Sequence, residues 1–265
     1  MMMKKIGLAL VLLFGVMFVS CGGAGVKKTD WENHGLKGSV KQVKECVRNM
    51  PDNERSFIAK DRDTTGIGEY DIVRVYEFNE GGYLTELRST SSNAKLYEKY
   101  LYDKDGNLTM IEMYVDDKLA RTFIHRYSAS GRLTSISSVN AESKKVDGST
   151  FFEYDKNGNV IKEINKAAEG NKMGEIVYKN DAKGRHISMI AYDPNGKSSG
   201  IETLYDYDNQ NNITKIETKD MLLKNSSSQE FLYYDKDEKG NWTRRETIFM
   251  QNRVQEVKRT HLYYE

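Results

Sequence analysis

The chain has 265 residues, 30% of them charged and 11% aromatic. That is too aromatic for a disordered chain and polar for a compact globule; a sheet with one solvated face accounts for both. Basic and acidic residues number 40 and 39, an evenly mixed surface that excludes nucleic-acid binding through bulk charge.

The N-terminus reads as a processing segment. Met1–Lys5 is short and basic, and Ile6–Val19 is an apolar run of 14 residues. A spanning helix needs about 20, so the run has the shape of a signal peptide. Val19-Ser20-Cys21 places a cysteine at a small-residue junction. This resembles a bacterial lipobox, with Phe18 where leucine is usual. The resemblance implies cleavage before Cys21 and acylation of its thiol, which tethers a globule at a membrane surface. Residues 1–20 are therefore expected to be the signal peptide, 21–34 the acylated cysteine and a flexible tether, and 35–265 a single repeat domain. No aspartate follows Cys21, which is compatible with outer-membrane sorting; the periplasmic and cell-surface sides both remain open. Cys46 is then the one other cysteine, so no internal disulfide forms.

Val40–Val47 reads as the first strand. Pro51–Glu69 is polar and irregular and is expected to be a loop or hairpin tip. From Val73 onward one unit recurs. Its copies begin YEFNEGGYLTEL at Tyr76, YLYDKDGNLTMI at Tyr100, HRYSASGRLTSI at His125 and FEYDKNGNVIKE at Phe152, then continue from Tyr178, Tyr205 and Tyr233. The turn residues are Gly82, Gly106, Gly131, Gly158, Gly184, Asn211 and Gly240, at spacings of 24, 25, 27, 26, 27 and 29 residues. A near-constant period of this size marks a repeat architecture.

Each unit pairs two residues at i and i+2, which share one face of a strand: Tyr76/Phe78, Tyr100/Tyr102, His125/Tyr127, Phe152/Tyr154, Ile176/Tyr178, Tyr205/Tyr207 and Leu232/Tyr234. A turn rich in Asp, Asn and Gly follows, then a second strand. Two of these turns, Tyr178–Gly184 and Tyr234–Gly240, read as two residues longer. After the turn the apolar residues lie three apart, as in Leu108/Ile111, which regular alternation does not allow; a β-bulge resolves it. Asn140–Ser149 and Leu223–Ser228 read as extended turns, and His261–Tyr264 as the last strand. The expected fold is all-β: repeated antiparallel hairpins, about sixteen strands, in one long curved or rolled meander sheet. A membrane barrel is disfavoured because Glu98, Lys99, Lys162 and Lys215 leave no clean apolar band.

The aromatic-Asp-x-x-Gly-Asn-Leu-Thr pattern resembles the RHS/YD repeat family, and more closely the small repeat lipoproteins of Bacteroidota. Leu36–Val43 resembles their opening strand. Arg132 and Arg185 depart from the pattern, replacing the Asn after Gly. The resemblance implies a scaffold rather than an activity.

Chemistry-bearing motifs are sparse. Asp103-Lys-Asp105-Gly-Asn107 has oxygen ligands but not the spacing of a calcium loop, and turn chemistry explains it. The histidines, His34, His125, His186 and His261, are far apart and lack metal-ligand spacing. No nucleophile elbow, phosphate loop or dinucleotide fingerprint occurs, so no catalytic residue, metal or cofactor is expected. The regular tyrosines read as cross-strand core. Trp31, Tyr70, Tyr83 and Trp242 stand outside the repeat and are the candidate ligand-binding aromatics. The reading is a membrane-anchored envelope lipoprotein of the outer membrane, a non-catalytic binding or assembly scaffold with an envelope protein or glycan as partner. The alternatives are a glycan-binding surface lipoprotein and, last, a glycan hydrolase.

Overall fold

A computed structural model describes residues 29–50, 70–92 and 94–265. The leader, Cys21 and the Pro51–Glu69 stretch lie outside the described residues. A single turn of helix, α1 (Asp30–Asn33), is followed by β1 (Val40–Asn49), β2 (Ile72–Phe78), β3 (Leu84–Ser91), β4 (Lys95–Tyr102) and β5 (Leu108–Val115). Next come β6 (Lys118–Tyr127), β7 (Leu133–Asn140), β8 (Val146–Tyr154), β9 (Val160–Ala167), β10 (Lys172–Asn180) and β11 (His186–Tyr192). The last five are β12 (Ser198–Tyr207), β13 (Ile213–Asp220), β14 (Asn225–Lys236), β15 (Trp242–Phe249) and β16 (Asn252–Tyr263). Each strand pairs antiparallel with its neighbours in sequence, as the hairpin repeat implies.

The sheet is a closed barrel and not an open or rolled meander. β16 returns to β1 and pairs with it from Val40↔Tyr263 to Asn49↔Gln255. Closure removes both sheet edges, where unpaired backbone groups would otherwise invite other chains. Periodicity specifies neighbouring hairpins, but it does not specify whether the first and last strands meet. That depends on the tilt and stagger accumulated over all the strands.

The bulges are where the three-residue spacing placed them. Tyr102 pairs with Leu108 but Leu101 with Met110, so Thr109 is the extra residue. Phe78, Tyr127, Tyr154, Asn180 and Tyr207 mark the same shift in their hairpins. The turn before each bulge is a three-residue loop ending at positive φ, for example Gly106 at 72°. Asp103 accepts the Gly106 N–H and donates to the Asn107 carbonyl. Such a turn requires the left-handed residue, which is why Gly, or once Asn211 at 68°, recurs.

Two turns expected to be longer have ordinary length. Asp181 and Asp237 head loops that close on Gly184 and Gly240. The additional residues belong to the strands. In β10 the slot of the second aromatic is taken by Asn180. In β14 Asp235, φ 47°, stands between the paired residues Tyr234 and Lys236 while the register with β15 stays constant; Tyr233 faces inward and Leu232 is 40% exposed. The expected Leu232/Tyr234 pair is thereby replaced. The two extended turns are shorter than expected as well: β8 begins at Val146 and β14 at Asn225.

The barrel has two rims. The Gly82-type turns form one, together with α1 and the C-terminus; the alternate turns form the other. α1 occupies part of the residues expected to be a tether. A capping box of Thr29 and Glu32 closes its N-terminus, and Trp31 lies so close to Gly82 that a Cβ there would sit 2.7 Å from the indole. Val40, Val43, Phe78 and Leu84 form the buried core at this rim, with Trp31, Leu36, Tyr76, Tyr100 and Tyr263 packed against it.

Candidate functional site

Alternation sorts the side chains of this barrel. Val43, Tyr76 and Tyr100 face the core, so Glu77, Glu86, Lys99 and Glu112 face outward. These four form one cross-strand row, Glu77↔Glu86↔Lys99↔Glu112. Lys162 and Lys215 also face outward, among Glu153 at 3.6 Å and Glu217 at 3.5 Å respectively. Arg88 bridges to Glu86 and, at 3.8 Å, to Glu77. Exposed pairs of this kind contribute little stability; they mark a solvated surface. Of the four charges that argued against a membrane barrel, Glu98 faces inward instead, where Tyr100 donates to it and burial raises its carboxyl above the ordinary range.

Inside, the second tyrosine of each unit ties its hairpin to the preceding one. Tyr102 donates to the Leu84 carbonyl at 2.7 Å, Tyr127 to Leu108 at 2.9 Å, Tyr154 to Leu133 at 2.6 Å, and Tyr207 to His186 at 2.8 Å. Asn180 makes the same bond to Val160 through its amide at 2.9 Å, and Tyr233 to Ile213 at 2.9 Å. The regular tyrosines are thus structural, as cross-strand placement implied.

The turn carboxylates are engaged too. Asp103 accepts the N–H groups of Asp105 and Asn107 at 2.9 and 2.8 Å, and the Asn107 amide at 2.8 Å. Asp155 repeats this with Asn157 and Asn159, and these bonds hold its carboxyl below the usual range. Turn closure uses the oxygens that a cation would need.

The buried charge lies at the closing seam. Glu45 in β1 is 5% exposed and accepts from Arg259 in β16 at 2.7 Å. Arg74 stands 3.6 Å away, and the Tyr76 hydroxyl donates at 3.3 Å. Burial alone would raise Glu45, but the Arg259 guanidinium prevails and holds it below the ordinary carboxylate range. Arg259 also stacks 3.7 Å from the Trp242 ring centroid. Glu45, Glu98 and Glu163 are distributed over β1, β4 and β9, and each accepts from a tyrosine.

The candidate aromatics do not converge. Trp31 donates to the Val40 carbonyl at 2.7 Å beneath Gly82. Tyr83 packs on Tyr102, centroids 5.1 Å apart, and over Gly106. Trp242 lies on the inner wall against Tyr233, and Tyr70 is half-buried just before β2. The histidines are likewise dispersed: His34 meets Tyr76 and Phe78 edge-on, His186 stacks on Tyr178 at 4.1 Å, and His261 lies 2.9 Å from Asp237. No group of three or more ligating side chains occurs among the described residues.

Sequence reasoning missed the seam cluster, because Glu45 and Arg259 lie at opposite ends of the chain and only closure joins them. It also missed the inner wall near the alternate rim, where Asn49, Gln229, Phe231, Thr247, Val254 and Gln255 line a cavity of about 350 Å³.

No family model matches the chain, and no curated protein does. Among solved structures, a porin-like protein from Bacteroides uniformis ATCC 8492 aligns with TM-score 0.53 and 9% identity over 85% of this chain and 98% of its own. A porin-like protein from Bacteroides vulgatus ATCC 8482 aligns with TM-score 0.37 and 10% identity over 85% and 98%. The Photorhabdus luminescens Tc holotoxin pore gives TM-score 0.32 and 16% identity over 77% of this chain and 13% of its own. At these identities the first likeness shows the fold alone: this chain shares a closed β-barrel fold with a porin-like Bacteroides protein.

Proposed function

We propose that this protein is a lipid-tethered lipoprotein of the outer membrane. Its YD-like repeats build a non-catalytic head that binds or assembles envelope components from the aqueous side. The outward row Glu77–Glu86–Lys99–Glu112 carries this reading. A charged side chain on the lipid face of a membrane barrel costs roughly 2–4 kcal/mol at the bilayer midplane for Lys or Arg. Lys99, Lys162 and Lys215 all stand on the outward face, interleaved with carboxylates. The barrel wall suits water on its outside, so attachment falls to the tether, and Cys21 at its small-residue junction is the residue that supplies it. The fold shared with a porin-like protein supports an envelope location; the charged wall argues against a pore. The dispersed, tyrosine-bonded carboxylates support a binding role over hydrolysis, which needs a carboxylate pair some 5–9.5 Å apart.

Cell fractionation of the full-length protein and of a variant that begins at Gly22, without the leader or Cys21, tests this. The wild-type chain is expected with the outer membrane, released by detergent but not by high salt. The variant is expected as a folded barrel that stays in aqueous solution. A variant that still needs detergent would show that the barrel itself enters the bilayer and would overturn the reading.

A further inference from the structure

The alternate rim opens onto an inner wall of unusual chemistry. Asn49 pairs with Gln255, Gln255 with Thr247, and Thr247 with Phe231. These four form one cross-strand row over β1, β16, β15 and β14, at neighbouring-strand spacings of about 4.8 Å. The row reads amide, amide, hydroxyl, aromatic. Gln229, two residues from Phe231 toward the rim, adds a third amide on the same face. With Val254 they line an open cavity of about 350 Å³, and its lining holds no charged side chain.

One group there is unexplained by the fold. Thr247 is 6% exposed, and its hydroxyl has no hydrogen-bond partner among the described residues. An unpaired buried hydroxyl is unfavourable, so such a group in a native chain calls for a partner. Its neighbour in the row, Gln255, donates to Asn49 at 3.0 Å. One layer deeper Arg245 lies over the Phe231 ring, 5.3 Å from its centroid, and its Nε is also without a partner. The wall therefore offers amides, a hydroxyl and an aromatic ring, with spare hydrogen-bonding capacity and no net lining charge.

We infer that this cavity is a binding site for a neutral saccharide, taking one or two sugar units end-on through the alternate rim. Amides and the Thr247 hydroxyl match the paired donors and acceptors of sugar hydroxyls, and the Phe231 ring matches the apolar face of a pyranose. The volume sits at the low end of small-ligand sites, which run from about 300 Å³ upward; that favours a chain terminus. A charged sugar or phosphate finds no counter-ion in the lining. The site deepens the binding role proposed above and rests on it, but it uses none of the aromatics outside the repeat that the sequence singled out.

Calorimetric titration of the full-length protein in detergent with maltohexaose, cellohexaose, chitohexaose and mannohexaose tests the site. At least one is expected to bind. Phe231→Ala and Gln229→Ala are each expected to raise its Kd tenfold or more. Thr247→Val keeps the shape and removes the hydroxyl; it is expected to raise Kd about fivefold while leaving the thermal midpoint without sugar unchanged or higher. That pairing separates a ligand-facing hydroxyl from a structural one. Absence of binding by all four sugars would overturn the site. So would binding that survives these substitutions, or a Thr247→Val chain that loses stability and not affinity. Shortened sugars recovered after titration would overturn the non-catalytic reading and leave the site standing.

Discussion

His125 shows how a single residue carries a pH response into this barrel. It fills an aromatic slot of the repeat, is 7% exposed, and its Nδ1 has no partner among the described residues. Burial lowers its pKa to about 4. The unfolded chain, with an ordinary value near 6.5, then binds more protons than the fold between pH 6.5 and 4. Stability present at neutral pH is lost as the pH falls through that window, by roughly 2 kcal/mol at pH 5. His34, His186 and His261 are shifted the same way, chiefly by burial, and add to the slope. Urea unfolding of wild type and His125→Phe at pH 7 and pH 5 checks this: the variant, with the ring that Phe152 supplies in its own unit, is expected to lose about 2 kcal/mol less on acidification.

At the scale of the element, the hairpin is held by three residues with separate tasks. The aspartate closes the turn, the glycine supplies the left-handed residue, and the tyrosine bonds the carbonyl of the hairpin before it. A threonine adds a fourth contact in some units, as Thr109 donates to the Leu101 carbonyl at 3.0 Å. Asn180 makes the same inter-hairpin bond as tyrosine, so the bond rather than the ring is what recurs there. Tyr154→Phe keeps the ring and removes the hydroxyl that reaches Leu133. It is expected to cost about 1 kcal/mol in urea unfolding, the net worth of one such bond, with the far-ultraviolet circular dichroism unchanged.

For the whole molecule, the seam between β1 and β16 decides the architecture. Glu45 and Arg259 are directly opposite one another there, and neither is tolerated alone in so buried a place. Arg259→Met is expected to destabilise by about 3–5 kcal/mol, because it leaves the Glu45 carboxylate without its main counter-charge. Adding Glu45→Gln removes that charge and is expected to recover more than half of the loss. Chemical unfolding of both single variants and the double variant gives the coupling directly. An additive result would mean that the pair does not hold the seam.

The hairpin unit, its bulge and its turn residue were legible in the residues because each rests on local stereochemistry: strand alternation, the left-handed position, and the Asp that caps its own loop. Gly106 and Thr109 announce their roles within a few residues of chain. Closure of the sheet was not legible, since it depends on sixteen strands adding their tilt and on two termini meeting. The two irregular units misread for a related reason. Asn180 takes the slot of an aromatic and Asp235 interrupts β14, neither altering the turn, and only the paired neighbours reveal which residue fills which slot. The seam cluster and the cavity at the alternate rim belong to the same class. Glu45 with Arg259, and Asn49 with Gln255, Thr247 and Phe231, are brought together by the closing of β1 onto β16. Sequence alone determined what each strand is and how it turns; tertiary structure alone decided which distant strands share a wall, because strand pairing is a contact between chain segments and not a property of either one.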